Sequence, residues 1–300
     1  MGAVYEAVGP GGEVVALKTL RGFSPAMLYH LKQEFRALAG VAHPNLVGLH
    51  KLYVRGKQAF FTMELVEGVD LIRYVRRDLA VGTLDEEVIA RLRAVLRQIV
   101  DAVAALHRVG KLHRDLKPSN VLVDADGRAV VLDFGLVRDI AEVSGLTSSN
   151  ESFVGTPAYM APELAAGESL SEVGDWYAVG VILFEALTGA LPFTGGGFQV
   201  LLEKCQAPAP AVASRVEGAP EDLAALCARL LERRPEARAG LAELREILGV
   251  PAGGAAPNVA PVDGLLGRSD ELARLGGALA RVAAEARPRV VALSGESGIG

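Results

Sequence analysis

The 300-residue sequence is poor in cysteine and aromatic residues and has no long apolar run. Its two cysteines, Cys205 and Cys227, stand in apolar surroundings, so we expect two buried free thiols in a reducing cytoplasm rather than a disulfide. No stretch reaches the roughly 18 apolar residues that a membrane span requires. The longest candidate, residues 176–191, is interrupted by Glu185 and predicts a buried core helix.

An excess of basic charge is also absent. The sequence has 31 Lys and Arg against 36 Asp and Glu, a net charge of -5, which argues against a general nucleic-acid-binding protein. No basic stretch followed by an apolar one stands at the amino terminus, so no signal peptide is predicted. Half of the residues are hydrophobic, enough to bury the core of one domain of about 250 residues with a piece of another.

Two short acidic motifs lie in the middle of the chain. An acid, a cation and an amide share one tight loop in residues 113–120, which read HRDLKPSN. A second acid, Asp133, opens an Asp-Phe-Gly run directly after a predicted strand at 128–132. Phosphoryl transfer requires in-line positioning and neutralised phosphate charge, and a carboxylate with an amide oxygen can hold magnesium. The two motifs therefore indicate a site for phosphoryl transfer.

Apolar periodicity divides the chain into a strand-rich first part and a helical second part. The predicted strands are 1–8, 13–20, 46–54, 58–65, 121–123 and 129–132. The predicted helices are 26–39 and 85–107, followed by mostly helical chain to residue 249. Strands early and helices late indicate an α+β protein with two lobes.

Residues 1–249 resemble the bacterial eukaryotic-type (Hanks-type) Ser/Thr protein kinases. The resemblance rests on 113–120, on 133–135, on the Val-Ala-Leu-Lys run at 15–18 and on the Ala-Pro-Glu run at 161–163. It implies a bilobal kinase fold with a small β-rich N-lobe and a large helical C-lobe. It also implies transfer of the γ-phosphate of ATP, with Mg²⁺, to a Ser or Thr hydroxyl of a protein.

The resemblance assigns catalytic roles to four side chains. Lys18 is expected to contact the α- and β-phosphates, with Glu34 as its ion-pair partner. Asp115 is expected to accept or orient the proton of the substrate hydroxyl, and Lys117 to steady the γ-phosphate.

The resemblance also implies a magnesium site and an adenine pocket. The expected magnesium ligands are Asn120 and Asp133. The expected ATP-binding residues are Gly2, Val4, Ala16, Lys18, Met63, Glu64, Leu65, Val66, Asp70 and Leu122. Among them, Val4, Ala16 and Leu122 would sandwich the adenine. A plain role in the core is compatible with this, since adenine would complete an apolar slot. Met63 would be the gatekeeper, and 64–66 the hinge that offers backbone groups to adenine. Asp70 would reach the ribose, although a solvated Asp explains it nearly as well.

Small and polar residues follow Ile140 and would form the activation segment. Its available hydroxyls belong to Thr147, Ser148, Ser149 and Ser152, and Thr156 lies in the same segment. Arg114 is a cation that a phosphate there could satisfy, so we expect phosphorylation at one of the first four, with Ser148 and Ser152 the leading candidates. A flexible Ser/Thr loop also needs no regulation to explain it. Lys117, together with Thr156 before Pro157, resembles the Ser/Thr branch of the family.

Three further residues are expected to form the scaffold of the site. Glu163 is predicted to pair with Arg238, and Asp175 to tie the backbone of the catalytic loop to a central helix. The sequence departs from the family where Arg-Arg-Pro stands at 233–235 in place of a usual Asp. We expect a local change in helix capping there, without loss of activity.

Both ends of the chain suggest incomplete motifs. Of the family's glycine-rich loop only residues 2–4 remain, so we expect Met1 to be an internal Met of that loop and the chain as written to bind ATP poorly. Residues 250–264, rich in Pro, Gly and Ala, predict a linker. Residues 265–300 contain a helix at 271–286 and end in G-x-x-x-x-G without the following Lys, which resembles the start of an AAA- or STAND-like P-loop ATPase domain.

Two rival functions remain open at this point. A catalytically weak pseudokinase or regulatory scaffold could control the ATPase module, but intact Lys18, Asp115, Asn120 and Asp133 argue against it. A small-molecule kinase of similar fold is disfavoured by Thr156 and the complete run at 161–163. The expected partners are ATP, a protein with Ser or Thr, and a second copy for autophosphorylation in trans, with no nucleic acid and no membrane; the expected compartment is the cytoplasm.

Overall fold

The computed structural model describes residues 3–9, 11–20, 25–55, 58–77, 79–133, 157–165, 167–168, 171–251, 258–259, 273–274, 276–277 and 281. The strands are β1 Val4–Val8, β2 Val14–Leu20, β3 Val41–Ala42, β4 Leu49–Arg55, β5 Gln58–Met63, β6 Val69–Asp70, β7 Val121–Val123, β8 Ala129–Val131 and β9 Asn258–Val259. The helices are α1 Pro25–Ala39, α2 Leu71–Arg76, α3 Glu86–Arg108, α4 Pro162–Ala165, α5 Glu172–Thr188, α6 Gly197–Gln206, α7 Glu221–Leu230 and α8 Leu241–Leu248.

The small lobe is an antiparallel sheet with strand order β1-β2-β5-β4, packed against α1. Alternate residues of β5 are buried, as the period of two along a strand requires. Phe61 of that buried set meets Phe35 of α1, with ring centroids 5.7 Å apart. This packing fixes α1 against the sheet that carries Lys18.

The large lobe is built around α3 and α5. The apolar residues of α3 recur at helical spacing and are buried, and Asp85 caps the helix by accepting a hydrogen bond from the Val88 N–H at 2.7 Å. Nearly all of α5 is buried, which confirms the predicted core helix. Within the described ranges, no helix is both long and apolar enough to cross a membrane.

A small antiparallel sheet, β6-β7-β8, lies beside these helices and positions both acidic motifs. Val121 of β7 pairs with Val131 of β8, so the residues just before β7 and just after β8 lie at one end of the hairpin. Asn120 and Asp133 are such residues. The Leu132 N–H, next to Asp133, donates to the Asn120 carbonyl oxygen at 2.8 Å. The hairpin thus brings together two motifs that are 13 residues apart in sequence.

The predicted bilobal α+β fold is confirmed, and three details differ from expectation. The strand predicted from residue 46 begins at Leu49, because residues 45–47 bond instead to Val131 of β8. A two-residue strand, β9, forms inside the predicted linker and pairs with β3. Cys205 is exposed rather than buried, although both cysteines are free thiols.

Other predictions fall partly or wholly outside the described residues. Residues 273–274, 276–277 and 281 are helical, in agreement with the helix predicted at 271–286. Three features lie outside the described residues: Gly2, the Ser and Thr residues between 147 and 156, and the glycine-rich end at 295–300. The expectations for them stay predictions.

Candidate active site

The catalytic loop is anchored by the buried carboxylate of Asp175 on α5. Its two oxygens accept hydrogen bonds from the backbone N–H groups of His113 and Arg114, both at 2.8 Å, and one oxygen also bonds the His107 ring at 2.8 Å. Burial alone would raise the pKa of Asp175, but the hydrogen bonds from His107 and the His113 backbone outweigh it and lower the pKa. These bonds hold Arg114 in a left-handed conformation, φ 65°, that non-glycine residues rarely adopt.

His113 joins the catalytic loop to the strand end that precedes Asp133. Its Nε2 lies 2.8 Å from the Leu132 carbonyl oxygen, and its Nδ1 accepts the Asp115 N–H at 3.3 Å. Burial lowers the pKa of His113, so the neutral ring with the proton on Nε2 fits both bonds. The imidazole therefore sets the spacing between the two acidic motifs.

We expect the free energy of unfolding to fall as the pH drops below about 6.5, the usual histidine pKa. Burial lowers the folded-state pKa of both His113 and His43, so the unfolded state takes up protons first. Their contribution to stability is therefore present above pH 6.5 and is lost as the pH falls toward the folded-state pKa. Urea unfolding at pH 7.5, 6.5 and 5.5 measures this. His43→Gln should make the free energy of unfolding depend less steeply on pH. An unchanged dependence would show that protonation of His43 does not contribute to the loss of stability.

The Asp115 carboxylate contacts two polar side chains of the same loop. Its Oδ2 lies 2.8 Å from the Lys117 ammonium and 3.1 Å from the Asn120 amide nitrogen, which also bonds the Asp115 backbone carbonyl at 2.8 Å. A half-buried carboxylate fixed in this way can accept a proton from a hydroxyl group placed within hydrogen-bond reach. The neighbouring Lys117 ammonium can stabilise negative charge on a transferring phosphate.

The predicted pair between Lys18 and Glu34 is not formed among the described residues. Lys18 instead contacts a carboxylate oxygen of Asp133, and Glu34 bonds Lys111 at 2.6 Å. The Lys111 ammonium gives Glu34 a separate partner, and the carboxylate of Asp133, expected as a magnesium ligand, takes its place beside Lys18. Sequence reasoning missed Lys111, because nothing in its surroundings marks it as different from a surface lysine.

The oxygen donors near Asp133 fit a magnesium ion. The amide nitrogen of Asn120 is engaged by Asp115, which leaves its Oδ1 as an acceptor, and one oxygen of Asp133 contacts Lys18, which leaves the other. Mg²⁺ prefers oxygen ligands and completes its shell with water and substrate phosphates. The described residues hold no cluster of three or more His, Cys, Asp or Glu ligands, so a metal here depends on such additional oxygens.

The predicted adenine pocket is partly assembled. Ala16 of β2 pairs in register with Met63 of β5, and both are buried. Leu122 is half-buried between two fully buried neighbours on β7, so it turns to the opposite side of that strand. Val4 on β1 is 54% exposed.

The hinge at 64–66 and the ribose contact of Asp70 stay predictions. The Glu64 N–H donates to the Gly48 carbonyl oxygen at 2.8 Å, so of its backbone groups the carbonyl is the one left for adenine, and its side chain bonds Arg128 at 2.7 Å. Leu65 and Val66 are half-buried. The Asp70 carboxylate caps α2 by accepting the Arg73 N–H at 3.0 Å, which favours a structural role over ribose binding.

The expected pair of Glu163 and Arg238 is present and buried. Two parallel bonds join the guanidinium and the carboxylate at 2.7 and 2.8 Å. Arg238 also donates to the carbonyl oxygens of Val173, Glu232 and Arg233. This pair fixes α4, which begins shortly after the turn 157–160, to the chain segment just before α8.

The departure at 233–235 changes capping, as expected. The short 3-10 helix Pro235–Ala237 has no side-chain cap, and Arg233 donates instead to the carbonyl oxygens of Cys205 and Gln206 at the end of α6. A guanidinium is a suitable partner for carbonyl groups left free at a helix C-terminus.

A buried lysine, Lys204 on α6, was also missed by the sequence reasoning. It shares the inner face of the helix with Val200 and Leu201, at spacings of four and three residues. A lysine inside an apolar stripe is a signal that could have revealed it.

Comparisons with known proteins identify the family of the chain. The family model "Protein kinase domain" matches residues 1–248. The chain is 37% identical over 275 residues to serine/threonine-protein kinase PkaA of Streptomyces coelicolor, covering 86% of this chain and 49% of PkaA. It is 34% identical over 219 residues to serine/threonine-protein kinase PknL of Mycobacterium tuberculosis, covering 70% of this chain and 51% of PknL. The chain thus spans about half the length of these curated relatives.

A solved structure is similar as well. The crystal structure of Rad53 1–466 in complex with AMP-PNP superposes with a TM-score of 0.63 at 28% sequence identity, covering 83% of this chain and 61% of that one. Together with the family match, this likeness accounts for the sheet of the small lobe and the helices of the large one. The chain belongs to the protein kinase domain family.

Proposed function

We propose that this chain transfers the γ-phosphate of ATP to Ser or Thr hydroxyl groups of a protein. The observation that carries the proposal is the arrangement around Asp115, whose carboxylate lies against the ammonium of Lys117 and the amide of Asn120. The Lys18–Asp133 contact joins the small lobe to the same site. A proton acceptor, two cations and oxygen donors for magnesium are the parts that phosphoryl transfer needs.

Each residue has a distinct part in the proposed reaction. The substrate hydroxyl oxygen attacks the γ-phosphorus while Asp115 accepts or orients its proton, and the bond to the β–γ bridging oxygen breaks to release ADP. Lys117 stabilises charge on the γ-phosphate, and Lys18 holds the α- and β-phosphates. Magnesium held by Asn120 and Asp133 would neutralise the remaining phosphate charge.

Lys117 and the names of the similar proteins support the Ser/Thr class of acceptor. We further propose autophosphorylation within 147–156, in trans between two copies, and action in the cytoplasm. A P-loop ATPase module beginning at residue 265 is part of the same proposal.

Incubation of the full-length protein with γ-labelled ATP, Mg²⁺ and histone tests the function. The expected result is label in histone, recovered as phosphoserine or phosphothreonine after hydrolysis. Label only in phosphotyrosine would overturn the Ser/Thr assignment. A folded protein that binds ATP but labels no protein would favour a scaffold role.

Lys111→Met is expected to raise kcat/KM for ATP about two- to fivefold, the value of one partly exposed ion pair. Loss of the Lys111 ammonium would leave Glu34 free to pair with Lys18, as the kinase resemblance implies. Steady-state kinetics at varied ATP measure this, with Lys51→Met on the exposed side of β4 as the control. An equal or lower kcat/KM for Lys111→Met would show that the Lys111–Glu34 bond does not restrain the enzyme.

A further inference from the structure

Lys204 has an environment that no part of the proposed catalytic mechanism uses. Its side chain is 0% exposed, and among the described residues no carboxylate lies within ion-pair distance. The ammonium donates to three backbone carbonyl oxygens, those of Pro157 at 3.0 Å, of Met160 at 2.9 Å and of Ala158. A buried ammonium is costly unless all its hydrogen bonds are satisfied, and these three acceptors satisfy them.

In the part of the chain that the structure describes, the Lys204 ammonium contacts an aromatic ring rather than a carboxylate. It lies over the Tyr177 ring, 5.1 Å from the centroid, and Arg238 lies over the same ring at 5.0 Å. The charge of Arg238 is already matched by Glu163. Burial lowers the pKa of Lys204 to about 7, and the neighbouring Cys205 opposes this shift only in part.

The carbonyl groups that Lys204 binds belong to one turn, 157–160, in which the Met160 N–H also bonds the Pro157 carbonyl oxygen at 3.3 Å. The turn, the catalytic loop and α5 line one small cavity, and its lining includes Asp115, Tyr159 and Met160. The turn therefore lies close to the loop that carries the proposed proton acceptor. Tyr159 is held by a second bond, from its hydroxyl group to Glu185 at 2.5 Å.

We propose that Lys204 is a positioning residue for the protein substrate: it fixes the turn 157–160, against which the acceptor segment lies in front of Asp115. This inference rests on the proposed kinase function. It assigns a role in binding of the protein substrate to a residue that is not among the groups assigned to ATP. The turn lies close to the loop of Asp115 on the large lobe, whereas the groups assigned to adenine, ribose and the α- and β-phosphates stand on β1, β2, β5, β6, β7 and the hinge. Loosening the turn should weaken the binding of the protein substrate and leave the binding of ATP nearly unaffected.

The test compares wild-type protein, Lys204→Met and the exposed control Lys51→Met, all at full length, with histone as substrate. Methionine keeps most of the side-chain volume but donates no hydrogen bond. We expect KM for histone to rise about tenfold, the size of one lost charge-assisted hydrogen bond, with kcat and KM for ATP within about twofold. Lys204→Gln keeps two N–H donors, so its KM for histone should lie between those of wild type and Lys204→Met.

Unfolding curves accompany the kinetics. An unchanged KM for histone, or equal changes in kcat and both KM values, would overturn the positioning role. If both Lys204 variants failed to fold, Lys204 would be required for the stability of the domain, and this result would also contradict the positioning role. A folded wild-type protein that binds ATP but labels neither itself nor histone would refute the kinase function itself, and the inference with it.

Discussion

Asp115→Asn is expected to lower kcat for phosphate transfer by about 10²- to 10⁴-fold, the usual contribution of a positioned general base. The amide has the same shape as the carboxylate and can still meet Lys117 and Asn120, whose bonds to Oδ2 are 2.8 and 3.1 Å long. It cannot accept the proton of the substrate hydroxyl. KM for ATP should stay within about threefold, because Asp115 is not among the groups assigned to ATP.

Steady-state kinetics with histone measure this loss. Asp126→Asn is the matched control, since Asp126 is exposed in the turn between β7 and β8. A loss smaller than about tenfold for Asp115→Asn would show that the carboxylate is not the proton acceptor.

Glu163→Gln is expected to reduce the free energy of unfolding by about 3–5 kcal/mol, the cost of leaving one charge of a buried pair unmatched. Glu163 and Arg238 are 6% and 5% exposed, and the two bonds between them at 2.7 and 2.8 Å use both carboxylate oxygens. The remaining bonds of Arg238 go to backbone carbonyl oxygens, which do not carry a full charge.

Urea unfolding monitored by circular dichroism measures this loss of stability. The double variant Glu163→Gln with Arg238→Met should recover part of it, because no buried charge then lacks its partner. Glu243→Gln is the control: its partner Arg229 is 49% exposed at 3.4 Å, and loss of such a pair costs about 1 kcal/mol or less. Equal effects of Glu163→Gln and Glu243→Gln would contradict the role assigned to the buried pair.

The elements with strong periodicity could be predicted from the sequence. The spacing of apolar residues in α3 and the apolar character of α5 reflect burial alone, and burial is what periodicity encodes. The partnership of Glu163 and Arg238 came from the family resemblance. The two residues are 75 positions apart, so no local pattern could indicate it.

The choice between competing partners could not be predicted. Lys18 contacts Asp133, and Glu34 bonds Lys111, because ion pairing depends on which charged ends meet in space. The Glu64 N–H is used by Gly48 through a contact between separate segments of the chain. Lys204 reaches its carbonyl partners 44 to 47 residues away, and only its place in an apolar stripe marks it.

The role of Asp115 in phosphate transfer is tested by a single-turnover measurement with full-length protein, γ-labelled ATP-Mg and histone, with wild type and Asp115→Asn side by side. We expect label on histone Ser or Thr for the wild type and at least 100-fold slower labelling for Asp115→Asn. Equal labelling by both proteins, or no labelling by a folded wild type that binds ATP, would contradict it.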